Sequence, residues 1–330
     1  MLEAFIEIFD VWEPARPYLS MMVEPDEMLM VVRMDGRQMN LRQIAGLMET
    51  SEDHAAKLVR NAYSRCILDK ISQNGETVYQ AADFYSRLDH FAKYENWQDI
   101  PKEDRQRINR RFLDEFISRH KNNIERKMQG LAAENALPND TVMLLSEIEE
   151  MIEAAEEIVV QPCDCRKLGE HCSKPVETCI WLDDGARQAL DRGHGRRLTR
   201  DEAIQLVRWA DKKGLMHTAD SAWRERGLHA ICNCCACDCY PFTAAQELGT
   251  KGVWPKSHYV AAYDLDRCNH CGACVRRCHF EAFYFDGSTV EVQGKQKKEV
   301  FFNPELCWGC GLCANTCPEG AITMTELKIP

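Results

Sequence analysis

The sequence is poor in the features that mark several common classes of protein. No apolar run approaches the ~20 residues needed to cross a bilayer, so no membrane span is expected. The opening Met1-Leu-Glu-Ala-Phe-Ile-Glu has no basic stretch followed by an apolar core, so no secretory signal is expected either. There is no Walker A loop, no Gly-x-Gly-x-x-Gly after a strand and no Gly-x-Ser-x-Gly, and Gly193-His-Gly195 reads as a turn. These absences remove the usual nucleotide and flavin sites, leaving no evident substrate pocket. An excess of positive charge is also missing: 41 Lys and Arg stand against 52 Asp and Glu, a net charge of −11. That balance argues against broad nucleic-acid or membrane binding and suits a protein partner with a basic patch. What the chain does have is cysteine, 18 in 330 residues, gathered in C-x-C and C-x2-C arrays. In a reducing cytoplasm, the expected location, such arrays serve metals rather than disulfides.

Cys268-x2-Cys271-x2-Cys274-x3-Cys278 is followed by Cys307-x2-Cys310-x2-Cys313-x3-Cys317-Pro318. An Fe–S cube needs four converging thiolates, and a tight loop supplies three; the fourth cysteine of each run then ligates the other cluster. On this reading Cys268, Cys271 and Cys274 share a centre with Cys317, and Cys307, Cys310 and Cys313 share one with Cys278. Gly272, Gly309 and Gly311 let the backbone wrap closely, with amides turned toward sulfur. Two four-thiolate zinc sites are the alternative. Residues 264–330 resemble a bacterial-type two-[4Fe–4S] ferredoxin domain, which implies two such clusters and electron transfer. The sequence departs from that pattern in two places. His279 stands where the second run has Pro318, and residues 283–292 read as a hairpin turning at Asp286-Gly287, a loop able to dock a partner.

Nine further cysteines lie outside that domain: Cys163, Cys165, Cys172 and Cys179, then Cys232, Cys234, Cys235, Cys237 and Cys239. Two [4Fe–4S] clusters would use eight of the nine, whereas one would leave five free thiols open to oxidation. The words Pro162-Cys-x-Cys-Arg166 and Cys232-Asn-Cys-Cys235 resemble the cysteine-rich segment of ferredoxin-fused iron–sulfur proteins of anaerobes. One or two further [4Fe–4S] clusters, zinc, or a redox-active thiol set all remain open, as does the grouping of ligands. Arg166 is read either as offsetting thiolate charge or as a surface ion pair. His171, His217 and His229 are read either as ligands or as ordinary hydrogen-bonding histidines. Between the two loops, Thr199-Arg-Asp-Glu202 is a capping box opening a helix that ends near Gly214.

Upstream, Leu41, Ile44, Ala45 and Met48 sit at helical spacing, Thr50-Ser51 offers an N-cap, and Glu52–Ser64 carries Ala55, Leu58, Val59 and Ala62. Two strands about a turn at Asn74-Gly75 then complete a winged-helix order. Residues 40–80 hold five basic and five acidic side chains, so the module reads as protein-docking, with DNA possible but not favoured. Cys66 reads as core. The aromatics of residues 83–97 read as a packing stripe, and the acidic residues of 134–157 as a solvated face.

The sequence thus predicts an α+β multidomain chain. Residues 1–97 form a winged-helix-like domain, 98–158 a helical connector, 159–260 a cysteine-rich metal-binding region and 261–330 the two-cluster ferredoxin domain. The expected function is electron transfer as a subunit or dedicated partner of an anaerobic redox enzyme, rather than as a catalytic chain. The alternatives are a cluster-sensing transcription regulator and a central region itself catalytic toward a disulfide or a corrinoid.

Overall fold

A computed structural model describes all residues except 74, 132–136, 138–139 and 328–330, and shows a mixed α+β chain of two compact units. The first unit comprises Met1–Ser118, Lys167–Gly169 and Leu190–His194. It begins with α1 (Leu2–Ile8), a 3₁₀ segment (Glu13–Tyr18) and α2 (Leu19–Met22). Next come α3 (Pro25–Met34), α4 (Leu41–Leu47) and α5 (Glu52–Ser64). Local chemistry sets these boundaries. Pro25 opens α3 behind a Glu24/Glu27 capping box. Asn40 and Gln43 cap α4 reciprocally, and the Ser51 hydroxyl accepts from the His54 N–H at the start of α5. Strands β1 (Leu68–Gln73) and β2 (Glu76–Ala81) pair antiparallel from Leu68↔Ala81 to Gln73↔Glu76. Of the turn expected there, Gly75 has φ +81° and Asn74 lies outside the described residues.

Helix α6 (Phe84–Tyr94) buries Phe84, Leu88 and Phe91, and α7 (Lys102–Met128) starts directly after Pro101. Trp12 meets Phe84 and Phe112 edge-on at 5.3 and 5.9 Å, and Tyr85 stacks on Phe112 at 4.0 Å. The aromatic stripe is therefore packing, since such side chains bury large apolar area. Arg87 is fully buried beneath it, donating to the Met22 and Arg65 carbonyls and to the Glu95 carboxylate.

The second unit is built on a seven-stranded sheet in the order β6-β4-β5-β8-β7-β3-β9. From residue 141 the chain runs through β3 (Thr141–Met143), α8 (Leu145–Ala154), β4 (Ile158–Pro162), α9 (Asp164–Gly169, its last three residues in the first unit), β5 (Glu177–Leu182) and α10 (Asp183–Arg192, likewise from Leu190). There follow β6 (Arg196–Arg197), α11 (Arg200–Lys212), β7 (Met216–Ala219), α12 (Trp223–Arg226), β8 (Ala230–Cys234), α13 (Tyr240–Leu248) and β9 (Lys256–Ser257). All pairings are antiparallel except β3 with β9. Helix α11 opens with the expected Thr199/Glu202 box, and its Ala203 and Val207 pack with Ile148 and Ile152 of α8 onto Val160, Ile180 and Ile231 of the sheet. Each of these Val and Ile side chains contributes about 1.5–3 kcal/mol on burial. The acidic face of α8 is partly paired rather than wholly solvated, through Arg208–Glu149 and Arg224–Glu150. Because β3 is hydrogen-bonded into the sheet and α8 covers it, the division drawn at residues 158/159 falls within one layered structure and not at a gap.

The C-terminal part contains β10 (Tyr259–Tyr263), α14 (Ala273–Arg277), β11 (Phe283–Tyr284), β12 (Thr289–Val292), β13 (Lys295–Lys298), β14 (Phe301–Phe302), α15 (Leu312–Thr316) and β15 (Ile322–Glu326). Strand β10 pairs with β15, β11 with β14 and β12 with β13. The expected hairpin is displaced: its turn is at Gln293-Gly294, whose φ values of +51° and +74° suit the two left-handed positions of a tight hairpin turn. Asp286-Gly287 makes an earlier bend instead, in which the Asp286 carboxylate accepts from the Ser288 N–H.

Candidate metal centres

Helices α14 and α15 are two versions of one device. Each is five residues long, begins after a glycine in left-handed conformation (Gly272, φ +69°; Gly311, φ +76°) and carries the third cysteine of its run. Beside them lie two cavities. One is lined by Cys268, Cys271, Cys274 and Cys317. The other is lined by Cys278, Cys307, Cys310 and Cys313. Each brings together three cysteines of one run with the last of the other. Backbone N–H groups of His270, Gly309 and Ala321 donate to the sulfurs of Cys268, Cys307 and Cys317 at 3.3–3.4 Å. Close wrapping leaves no room for larger residues: a Cβ on Gly309 would strike the Tyr259 carbonyl, and one on Gly272 would lie 2.6 Å from the Phe285 ring. Burial pushes the Cys274 and Cys310 thiols up to about 12, so each must shed its proton to a metal to act as a ligand. Four thiols around a small, mostly apolar void, with amides aimed at sulfur, fit a [4Fe–4S] cube.

In the sheet most of the clustered thiols come from strands or their ends. β8 carries Cys232 and Cys234 two residues apart, so the pleat puts both thiols on one face. The β5–β8 register, Ile180↔Ile231, brings Cys179 beside Cys232, and β4 ends at Cys163. The thiols form a closed ring: Cys163 contacts Cys165 and Cys179, Cys179 contacts Cys232, and Cys232 contacts Cys234. Cys234 lies 3.1 Å from Cys239, which returns to Cys165. Within the ring, donation from Cys163 and Cys232 holds the Cys179 thiol down at about 5. Donation from Cys232 and Cys239 holds Cys234 well below its ordinary value.

The other three thiols form a separate group with an acid. Cys172, Cys235, Cys237 and Asp238 place one donor atom each within 4.8 Å of one another. The Asp238 carboxylate is 3.1, 3.7 and 3.6 Å from the sulfurs of Cys172, Cys235 and Cys237, and is itself buried. His171 orients it through both its backbone N–H and Nδ1. The nine cysteines therefore divide six and three, each group drawing on both loops. Sequence reasoning missed Asp238, although Cys237-Asp-Cys239 repeats the Cys163-Asp-Cys165 word.

Arg166 is not a surface ion pair. It is buried and donates to the Pro175 and Asn233 carbonyls and the Thr178 hydroxyl. Burial alone would weaken its hold on the proton, but charge on Cys163, Cys179, Cys235 and Cys234 reverses that, so the guanidinium is a fixed cation among the thiols. His217 is buried with Nδ1 on Asn233, and His229 packs edge-on to Trp181. His279 finds a partner in the Gly214 carbonyl at the end of α11, where Arg277 donates to the Lys212 carbonyl. A cationic donor such as Arg277 suits a helix C-terminus, and the two contacts together fix the turn that a proline would otherwise restrict.

Residues 267–321 match the family of 4Fe-4S dicluster domains. Over 79 residues the chain is 30% identical to Ferredoxin-3 of Nostoc sp., covering 21% of this chain and 81% of that protein. The chain belongs to the ferredoxin family. Its ferredoxin domain binds [4Fe–4S] clusters. This ferredoxin is also 30% identical over 118 residues to the indolepyruvate oxidoreductase subunit IorA of Thermococcus kodakarensis, covering 36% of this chain and 16% of that one. It is 32% identical over 80 residues to the polyferredoxin protein MvhB of Methanothermus fervidus, 23% and 19% of the respective chains. It thus spans less than a fifth of the length of either. No solved structure matches it. Among the described residues no helix is long and apolar enough to cross a membrane.

Proposed function

We propose that this ferredoxin conducts electrons between the central cysteine sheet and its C-terminal domain, as a subunit or dedicated partner of a larger redox enzyme. The observation that carries this is a shared core. Cys234 and Cys239 of the six-thiol ring pack in one apolar cluster with Phe242, Trp308, Leu312 and Cys310 of the second ferredoxin centre. Phe280 stacks on Trp308 at 4.7 Å, and Phe242 lies 5.2 Å from the same indole. The two centres are thereby joined through aromatic side chains. In this reading Cys268, Cys271, Cys274 and Cys317 hold one cluster, and Cys307, Cys310, Cys313 and Cys278 the other. The six-thiol ring and the Cys172/Cys235/Cys237/Asp238 group hold further metal centres. Thiolate-ligated clusters supply one-electron storage; the chain supplies burial, N–H donation to sulfur and the fixed charge of Arg166, which together tune it. The relatives named as an oxidoreductase subunit and a polyferredoxin support a place in a redox complex. Helices α4 and α5 with the β1–β2 pair, in winged-helix order, serve as a docking module. Exposed α5 presents Glu52 and Asp53 with Lys57 and Arg60, a mixed set and not a basic stripe.

The test is iron, acid-labile sulfide and zinc on protein purified without oxygen, with EPR of the reduced sample. About sixteen irons per chain are expected, four clusters' worth. About eight irons with zinc in the sheet would confine electron transfer to the ferredoxin domain and overturn the central half of the proposal.

A further inference from the structure

Cys66, His90 and His194 belong to no part of the electron path. Cys66 follows α5 with φ +57°, a conformation rare outside glycine, and turns the chain toward β1. His90 lies on α6, and His194 follows Gly193, whose φ is +80°. All three are more than nine-tenths buried, at 8%, 6% and 8% exposure. Their donor atoms lie within 4.8 Å of one another, and the two imidazole rings are centred 4.7 Å apart.

The hydrogen bonds of the histidines determine which nitrogens remain. Nε2 of His194 meets the Ser64 carbonyl at 2.6 Å, and Nε2 of His90 meets the Glu95 carboxylate at 3.2 Å. Both partners only accept, so both Nε2 atoms carry the proton and both Nδ1 atoms are bare lone pairs. Nδ1 of His90 is wholly buried and has no hydrogen-bond partner, a costly state for a polar atom removed from water. Glu95 is in turn fixed by Arg87 at 2.6 Å and by Arg65 at 3.3 Å. A metal-bound histidine commonly donates its other N–H to a carboxylate or a carbonyl, and here one histidine does each.

We propose that Cys66, His90 and His194 bind a divalent transition-metal ion of the zinc class, with one thiolate, two imidazole nitrogens and water in the fourth place. Thiolate with imidazole is a donor set for zinc. The burial of the three ligands makes the ion structural, anchoring Gly193-His194 to the turn after α5, and its occupancy is independent of the iron centres.

The test is zinc K-edge X-ray absorption and metal analysis on the full, iron-loaded chain supplied with zinc. About one zinc per chain is expected, with one sulfur and imidazole scattering in its shell. C66A and H194Q lose most of that zinc with iron and sulfide unchanged, and circular dichroism verifies that each variant is folded. An all-sulfur shell, zinc retained in C66A, or no zinc in the wild-type chain would overturn the proposal. The wild-type spectrum decides the matter even if a variant fails to fold.

Discussion

The two thiol-rich regions gather their sulfurs in opposite ways. In the ferredoxin domain three thiols of each group come from seven consecutive residues wrapped by glycines with positive φ, and only the fourth is brought from afar. In the sheet no group is local: six thiols converge from just after β4, from α9, from β5, from β8 and from the start of α13. The first design survives small shifts of the surrounding fold. The second depends on strand register, since a one-residue slip of β8 would turn Cys232 and Cys234 to the other face of the sheet. The comparison teaches that equal cysteine density can encode either a portable motif or a site that exists only with its whole domain.

The largest expected effect tests the ligand exchange in the portable region. C278S and C317S should each lose about four irons and most electron throughput. Combination with C271A separates the pairings: C271A with C317S empties one centre, whereas C271A with C278S empties both, for a loss of about eight irons. The reverse outcome, about eight irons lost with C271A and C317S and about four with C271A and C278S, would show that each run keeps its own fourth cysteine. Iron analysis and EPR give the answer.

The next prediction addresses the register-dependent region. Cys234 and Cys235 are neighbours in sequence but point into different groups. C234A should disturb the six-thiol centre and leave the Cys172/Cys237/Asp238 group loaded, and C235A should do the reverse, each removing roughly one centre's metal. Identical losses from the two variants would mean that the nine cysteines act as a single site.

The same contrast explains what the sequence made legible. The grouping of three nearby cysteines of one run with the last of the other is a reading that spacing alone allows, and the two cavities are lined in that way. The capping boxes of α4 and α11, the packing role of the aromatics and the burial of Cys66 were also local enough to read. The six-to-three division was not, because it follows from Ile180 standing opposite Ile231, which no spacing records. Asp238 was overlooked because a carboxylate between two cysteines is ordinarily a solvated residue; only its burial and its His171 partner distinguish it. The hairpin turn was placed at Asp286-Gly287 on the strength of a favoured dipeptide. The strands instead chose Gln293-Gly294, where Val290↔Lys297 and Val292↔Lys295 can pair.

The smallest expected effect concerns the helix that backs the register-dependent sheet. The Thr199 N–H and hydroxyl donate to Glu202 at 2.7 and 3.0 Å, and these bonds hold the Glu202 carboxyl below its usual range. A carboxyl depressed in the folded state stabilises at pH values above its unfolded pKa of about 4.3, and that contribution is lost as pH falls through the folded value. T199A should therefore raise opening of the first turn of α11 at neutral pH about fivefold, the equivalent of about 1 kcal/mol for a lost cap. Amide hydrogen exchange, corrected for the intrinsic rate, measures this. As pH falls through the depressed folded value the gap between the two proteins should narrow, because wild-type Glu202 then becomes protonated. It should not close, because the Thr199 hydroxyl still accepts from the Glu202 N–H at 3.2 Å. A pH-independent gap would assign the whole effect to that second bond. Loss of metal from the six-thiol ring in T199A, with the ferredoxin centres intact, would show how little slack the sheet-borne site tolerates.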